Sequence, residues 1–287
     1  MTLHNARTPG VPLPNHCSLL PEVFQFALFL LLGAYVGFLA GLLGIGGGFT
    51  IVPVLMEVFA RQGVAIADQL PLAIGTSAAS IVFTAAASVR AHHQRGAVVW
   101  PIVTAMAPGL VIGSLIGPQI ASALPMRVMS AIFGAFTLLT AARMVWARPA
   151  KVTRELPGKP ALFGVGAAIG VLAGMVGTGG AFLAVPFMTR CNVKVHSAVA
   201  TSAAIGWPVA VASALGFMYA GRNVADLPAH SVGYVYLPAL AGIVVMSMLL
   251  APLGARVAHA TSVGRLRKVF AVMLTLLGLW MLWKAFG

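Results

Sequence analysis

The sequence predicts an all-α integral membrane protein built from two inverted repeats. Three observations carry that expectation. Of the 287 residues, 60% are hydrophobic and 8% charged, with a mean hydropathy of +0.97. A soluble domain carries roughly 25% charged residues, the groups that keep its surface wet. The charges that do occur are grouped. Residues 23–56, 71–89, 98–126, 128–142, 161–189, 195–221, 227–255 and 269–283 contain no Asp, Glu, Lys or Arg. Finally, one glycine-rich stretch occurs twice.

A span needs about 20 apolar residues at 1.5 Å rise each, and in lipid its backbone satisfies its polar groups as helix. Ten hydrophobic segments follow. The first half has them near 24–44, 49–60, 71–90, 98–118 and 126–147; the second has them near 161–176, 182–190, 196–220, 233–254 and 265–286. Each repeat therefore contains about four full spans, or a re-entrant glycine-broken hairpin plus three spans, giving 8–10 segments in all. The expected division is a polar segment 1–22, a first repeat 23–147, a cytoplasmic linker 148–160 and a second repeat 161–287. The hydrophobic stretch after the polar N-terminus is continuous with a repeat, and no small-residue cleavage site follows it, so a signal peptide is not expected.

The duplication rests on polar and glycine positions that hydrophobicity does not force. Residues 37–55, GFLAGLLGIGGGFTIVPVL, align with 170–188, GVLAGMVGTGGAFLAVPFM, with ten identities in nineteen positions. Ala73–Ala79, AIGTSAA, aligns with Ala198–Ala204, AVATSAA. Gly96/Gly233, Pro101/Pro238, Pro118/Pro252 and Arg127/Arg267 continue the match in order.

Orientation follows from Lys and Arg, which collect in cytoplasmic loops. The linker holds Arg148, Lys151, Arg154 and Lys159; loop 90–97 holds Arg90 and Arg95; loop 255–268 holds Arg256, Arg265, Arg267 and Lys268. All three are expected inside, and the two halves then run in opposite senses. Inverted repeats are a common transporter plan.

The second segment of each half is short. Residues 49–60 make a helix of about 18 Å, less than the ~30 Å hydrocarbon core. Each is preceded by a break, Gly44-Ile45-Gly46-Gly47-Gly48 or Gly177-Thr178-Gly179-Gly180. Non-helical backbone at that depth survives only inside protein or against a water-filled cavity. The helix that starts there aims its free N–H groups and positive dipole end into that space, which makes an anion site of backbone. Two such tips are expected to meet near the midplane. A simpler reading, close helix packing, suits Gly33, Gly37, Gly41, Gly166, Gly170, Gly174, Gly109, Gly113 and Gly117, spaced four apart. It suits consecutive glycines less well. Thr76-Ser77 and Thr201-Ser202 begin the next span in each half; their hydroxyls would donate to an anion, or bond back to the preceding turn. The substrate-binding candidates are Gly46, Gly47, Gly48, Phe49, Thr76, Ser77, Gly179, Gly180, Ala181, Phe182, Thr201 and Ser202.

Other chemistries find little support. The net charge of +13 lies in short connections between spans, without a basic stripe and interleaved aromatics, so nucleic acid is not an expected partner. Cys17 and Cys191 lie outside any metal-ligand spacing and are expected as free thiols. Glu57 is the one acid inside a hydrophobic segment, and it has no repeat counterpart. His92, His93 and His196 sit at span ends. There is no metalloprotease helix motif, P-loop or nucleophile elbow. No catalytic residue, metal or cofactor is expected.

The pattern G-x-L-A-G-x-x-G-x-G-G-x-F, a proline, then A-x-x-T-S, present in Gly37–Pro53 with Ala73–Ser77 and in Gly170–Pro186 with Ala198–Ser202, resembles the TauE/SafE sulfite exporter family. The similarity extends over about residues 24–286. It implies a multi-pass protein of the bacterial inner membrane that exports small sulfur oxyanions such as sulfite or organosulfonates. Its expected partners are a small anion and the lipid bilayer, and a homodimer stays open. Import of such anions, and a non-transporting scaffold or assembly role, are the alternatives. Gly48 becomes Ala181 and Gly75 becomes Ala200, so the half-sites are unequal.

Overall fold

The computed structural model describes residues 22–43, 48–94, 96–146, 155–260 and 263–286. The polar segment through residue 21, the first glycine break at 44–47 and most of the linker lie outside them. The described chain is helical, with helices α1 Glu22–Leu43, α2 Gly48–Arg61, α3 Ile66–Gln94, α4 Trp100–Ala123, α5 Met126–Trp146, α6 Lys159–Val176, α7 Ala181–Arg190, α8 Val195–Ala220, α9 Leu237–Ala260 and α10 Val263–Phe286. A small hairpin, β1 Ser231–Val232 paired antiparallel with β2 Val235–Tyr236, joins α8 to α9. The charge-free run alone places 233–236 in the following span, whereas α9 starts at Leu237.

Local rules explain the boundaries. Pro101 and Pro160 sit in the first turns of α4 and α6, where a missing N–H costs nothing. Gly177 ends α6 in the left-handed conformation, φ 66°, its N–H closing onto the Ala173 carbonyl. Helices α3, α4, α5, α6 and α8 are each long and apolar enough to cross a membrane. Shorter apolar stretches lie in α1, α7, α9 and α10. The outer faces carry the exposure a lipid solvent permits: Leu31 and Leu249 are each 67% exposed and Leu276 64%. The chain is a multi-pass membrane protein.

The helices pair across the two halves. Helix α1 runs parallel to α9, with Gly33 against Gly242 and Ile243 and Gly37 against Ser247. Helix α4 runs parallel to α6, with Gly113 against Ala167 and Gly170, and Gly117 against Val171 and Gly174. A β-carbon at Gly33, Gly37, Gly113, Gly117, Gly170 or Gly174 would overlap the facing backbone. They are packing glycines, as their spacing predicts. The Ser114 hydroxyl adds a bond to the Gly170 carbonyl, 3.2 Å. Helices α5 and α10 run antiparallel, Gly134 facing Gly278 and Leu282 while Gly278 faces Leu138. At the centre α3 and α8 also run antiparallel, Gly75 meeting Phe217 and Ala79 clustering with Ala214. Each short helix packs on the helix that follows it, α2 on α3 and α7 on α8.

The α8–α9 hairpin is tied to the start of α3. The Tyr234 hydroxyl donates to the Asp68 carboxylate at 2.7 Å. Burial, then this bond and the Asp68 charge, push the Tyr234 pKa up, so it stays a donor throughout the neutral range.

Candidate functional site: the converging helix starts

The amino ends of α2 and α7 lie together. On the second-half side the chain leaves α6 at Gly177 and re-enters helix after Gly180, which is also left-handed at φ 70°. A residue with a β-carbon is strained in that region, which is why glycine stands at both turns. No side chain caps α7. Leu183 and Ala184 donate to the Gly180 carbonyl, but no acceptor among the described residues faces the Ala181 and Phe182 amides. These are among the donors that any helix start leaves free.

On the first-half side α2 starts at Gly48, and Gly46 and Gly47 lie outside the described residues. A β-carbon at Gly48 would sit 3.1 Å from the Gly177 carbonyl oxygen and 3.3 Å from the Ser77 hydroxyl. The start of α2 therefore lies against the α6–α7 turn. The next residues confirm the approach: Phe49 and Phe182, equivalent positions of the two halves, meet edge to face with ring centroids 5.0 Å apart. Phe49 is itself buried and also touches Phe133 and Phe136. Gly48 and Phe49 are buried, whereas Gly179, Ala181 and Phe182 keep partial exposure. The two tips meet, and the α7 tip is the more accessible.

The Thr-Ser pairs lie beside the tips, all four residues nearly or wholly buried. Thr76 donates its hydroxyl to the Leu72 carbonyl at 2.7 Å and accepts the Tyr236 N–H at 3.0 Å. Thr201 accepts the Val99 N–H, also at 3.0 Å. Val99 and Tyr236 each stand two residues before Pro101 and Pro238, so one bond occurs in both halves. It fixes the entry to α4 and α9. Ser77 reaches the Gly48 carbonyl at 3.4 Å, and Ser202 bonds back to the Val199 carbonyl at 2.8 Å. The threonines thus hold backbone, and among the described residues the Ser77 hydroxyl is the one of the four that bonds a tip.

Two residues that sequence reasoning did not select belong here. Gly206 on α8 packs against Gly179, each within about van der Waals distance of the other's backbone. Its signal was a lone glycine two residues before Pro208 within an apolar run. Thr178, in the second break, is 5% exposed, and its hydroxyl meets no partner among the described residues. The repeat alignment hid it, because position 45 is isoleucine.

Charged and metal-binding chemistry stays away from the tips. Glu57 pairs with Arg61 one turn along α2, 3.1 Å apart, on an exposed face. His93 accepts from the Trp100 indole, and His196 is exposed. Cys191 is a buried free thiol. Among the described residues no cluster of His, Cys, Asp or Glu could hold a metal. A recess of about 380 Å³ lies elsewhere, among Ala86, Arg90, His93, Trp100 and Trp207.

Comparison with known proteins agrees with the glycine and Thr-Ser pattern. The description Sulfite exporter TauE/SafE matches residues 29–281. A probable membrane transporter protein of Haemophilus influenzae is 33% identical over 265 residues, spanning 91% of this chain and 100% of that protein. Another, of Methanocaldococcus jannaschii, is 26% identical over 265 residues, spanning 90% of this chain and 97% of its own length. No solved structure is significantly similar to the chain. The chain belongs to the TauE/SafE sulfite exporter family.

Proposed function

We propose that this protein carries a small sulfur oxyanion, sulfite or an organosulfonate, out of the cell by alternating access, at a site between the starts of α2 and α7. The observation that carries the reading is the meeting of two helix starts, that of α7 without a side-chain cap, at the Phe49–Phe182 contact. Free amides and the positive ends of two helix dipoles favour a negative solute there, and no fixed cation is needed. The same phenylalanine contact favours a carrier over an open pore. With Phe49 enclosed by Phe133, Phe136 and Phe182, a solute passes only if the tips part.

The inverted plan, with repeats 23–147 and 161–287 around the linker 148–160, draws support from helix directions. The equivalent helices α3 and α8 run antiparallel, as do α5 and α10. A two-fold axis lying in the membrane plane reverses such pairs, whereas an axis along the membrane normal would leave them parallel. Export suits the energetics, because an anion leaving a negative interior gains about 2.3 kcal/mol per charge per 100 mV. That gradient drives efflux without a proton relay.

The test is efflux of sulfite from proteoliposomes under an imposed potential, with and without a pH gradient. Sulfite efflux should rise with a potential negative inside and ignore the pH gradient. Gly180→Leu, strained at φ 70° and bulky at the tip, should abolish it while the protein still reaches the membrane. Efflux that follows the pH gradient alone would replace the potential-driven mechanism by proton coupling. Full transport by Gly180→Leu would remove the tip from the mechanism and leave a packing role for its glycine.

A further inference from the structure

The two halves are not equal at the tips, and the inequality is chemical. Position 178 is threonine in the second break, where the first has Ile45. Burying a hydroxyl without a partner is unfavourable. Such groups are uncommon, and each asks for a reason. Ser130 and Ser213 are also buried and unpartnered. They sit within α5 and α8, however, where the carbonyl one turn back lies within a rotamer change. Thr178 lacks that option. Its own N–H closes onto the Ala173 carbonyl, and the left-handed Gly177 has already turned the chain off the helix axis.

The surroundings place Thr178 where a ligand belongs. Its neighbour Gly177 presents its carbonyl to the start of α2. On its other side Gly179 packs on Gly206 of α8. Three residues on, α7 begins with the unbonded Ala181 and Phe182 amides and some exposed surface. The turn thus gathers a hydroxyl donor and two backbone donors within five residues, next to the dipole end of a ten-residue helix.

Resting on the transport reading above, we infer that Thr178 is a specificity-determining residue: its hydroxyl donates to the bound anion, which sits on the α7 tip rather than equally between the halves. Three donors from one turn suit an anion with three terminal oxygens, such as sulfite or a sulfonate head. A carboxylate offers only two oxygens. The first break has isoleucine at the corresponding position, a residue with no hydroxyl, so the two breaks differ in chemistry. The α7 tip holds the anion, and the α2 tip, through Phe49, covers it.

The experiment is thermal unfolding of the full-length protein in detergent, titrated with sulfite, a simple sulfonate or acetate. The proteins are wild type, Thr178→Val, Thr178→Ser and Thr178→Ala. Wild type should be stabilised by sulfite and sulfonate more than by acetate. Thr178→Val keeps the shape and removes the hydroxyl. Without ligand it should unfold no earlier than wild type, because an unsatisfied polar group is gone. Its sulfite midpoint should shift upward about tenfold or more, the loss expected for a hydrogen bond to a charged group. Its preference over acetate should shrink. Thr178→Ser should restore both, and Thr178→Ala should behave as valine does. A hydroxyl with only a structural role would give the opposite pattern, early unfolding and an unchanged midpoint. Valine and alanine variants that titrate like wild type would overturn the inference and leave the transport reading standing. A wild type that no oxyanion stabilises would overturn that reading, and this inference with it.

Discussion

At the scale of single residues, the most informative atoms are the Thr76 and Thr201 hydroxyl oxygens. Each accepts the N–H that begins the approach to a later helix, Tyr236 for Thr76 and Val99 for Thr201, both at 3.0 Å. These bonds span 160 and 102 residues of chain and lie in buried or half-buried surroundings. A buried N–H stripped of its acceptor is destabilising by about 1–3 kcal/mol. Thr76→Val and Thr201→Val should therefore each unfold earlier in detergent by about that amount, while the serine variants stay near wild type. Equal losses at the two positions would be expected from the matching bonds. If valine left unfolding unchanged but impaired efflux, the hydroxyls would be acting on the solute and not on the backbone. The sequence marked these threonines by their recurrence. It did not show their partners, because nothing local in A-x-x-T-S points to a residue more than a hundred positions away. Thr178 escaped for the opposite reason: it has no counterpart, and a search by repetition discounts what occurs once.

At the scale of elements, the glycines divide into two populations by what faces them. Gly33 and Gly37 of α1, Gly109, Gly113 and Gly117 of α4, and Gly166, Gly170 and Gly174 of α6 meet backbone, and any side chain there must force two helices apart. Gly37→Ala and Gly113→Ala should each lower thermal stability sharply or abolish folded yield, since the added carbon would overlap Ser247 or Ala167. Gly164→Ala is the matched control. It lies on the same helix as Gly170 with nothing within 4 Å. It should be neutral or gain up to ~1 kcal/mol from helix propensity. A similar loss at all three positions would mean that the helices tolerate no alanine, whatever their packing. The small-residue faces were legible from spacing, and so were the ten described helices, because charge-free runs have sharp ends and glycine breaks divide two of them. Which face meets which was not, since a glycine stripe declares closeness and names no partner. The two-residue strands of the α8–α9 hairpin carry too little pattern to register at all.

At the scale of the whole molecule, the proposed site depends on the relation between the halves. If the repeats are inverted, equivalent loops lie on opposite sides of the membrane. Gln94 ends α3, and Asp226 follows α8 in the corresponding place; both are exposed. Since α3 and α8 run antiparallel, their carboxyl ends point to opposite faces. With Cys17 and Cys191 replaced by alanine, a membrane-impermeant thiol reagent applied to intact cells should label Asp226→Cys. It should reach Gln94→Cys only after permeabilisation if that loop is cytoplasmic, as Arg90 and Arg95 lead one to expect. The reverse pattern would turn the protein over yet preserve the inversion, and the direction of the site's first opening would change with it. Labelling of both from one face would contradict the inverted plan. The tips of α2 and α7 would then approach from the same side, and a carrier that exposes them alternately to the two faces would lose its geometric basis.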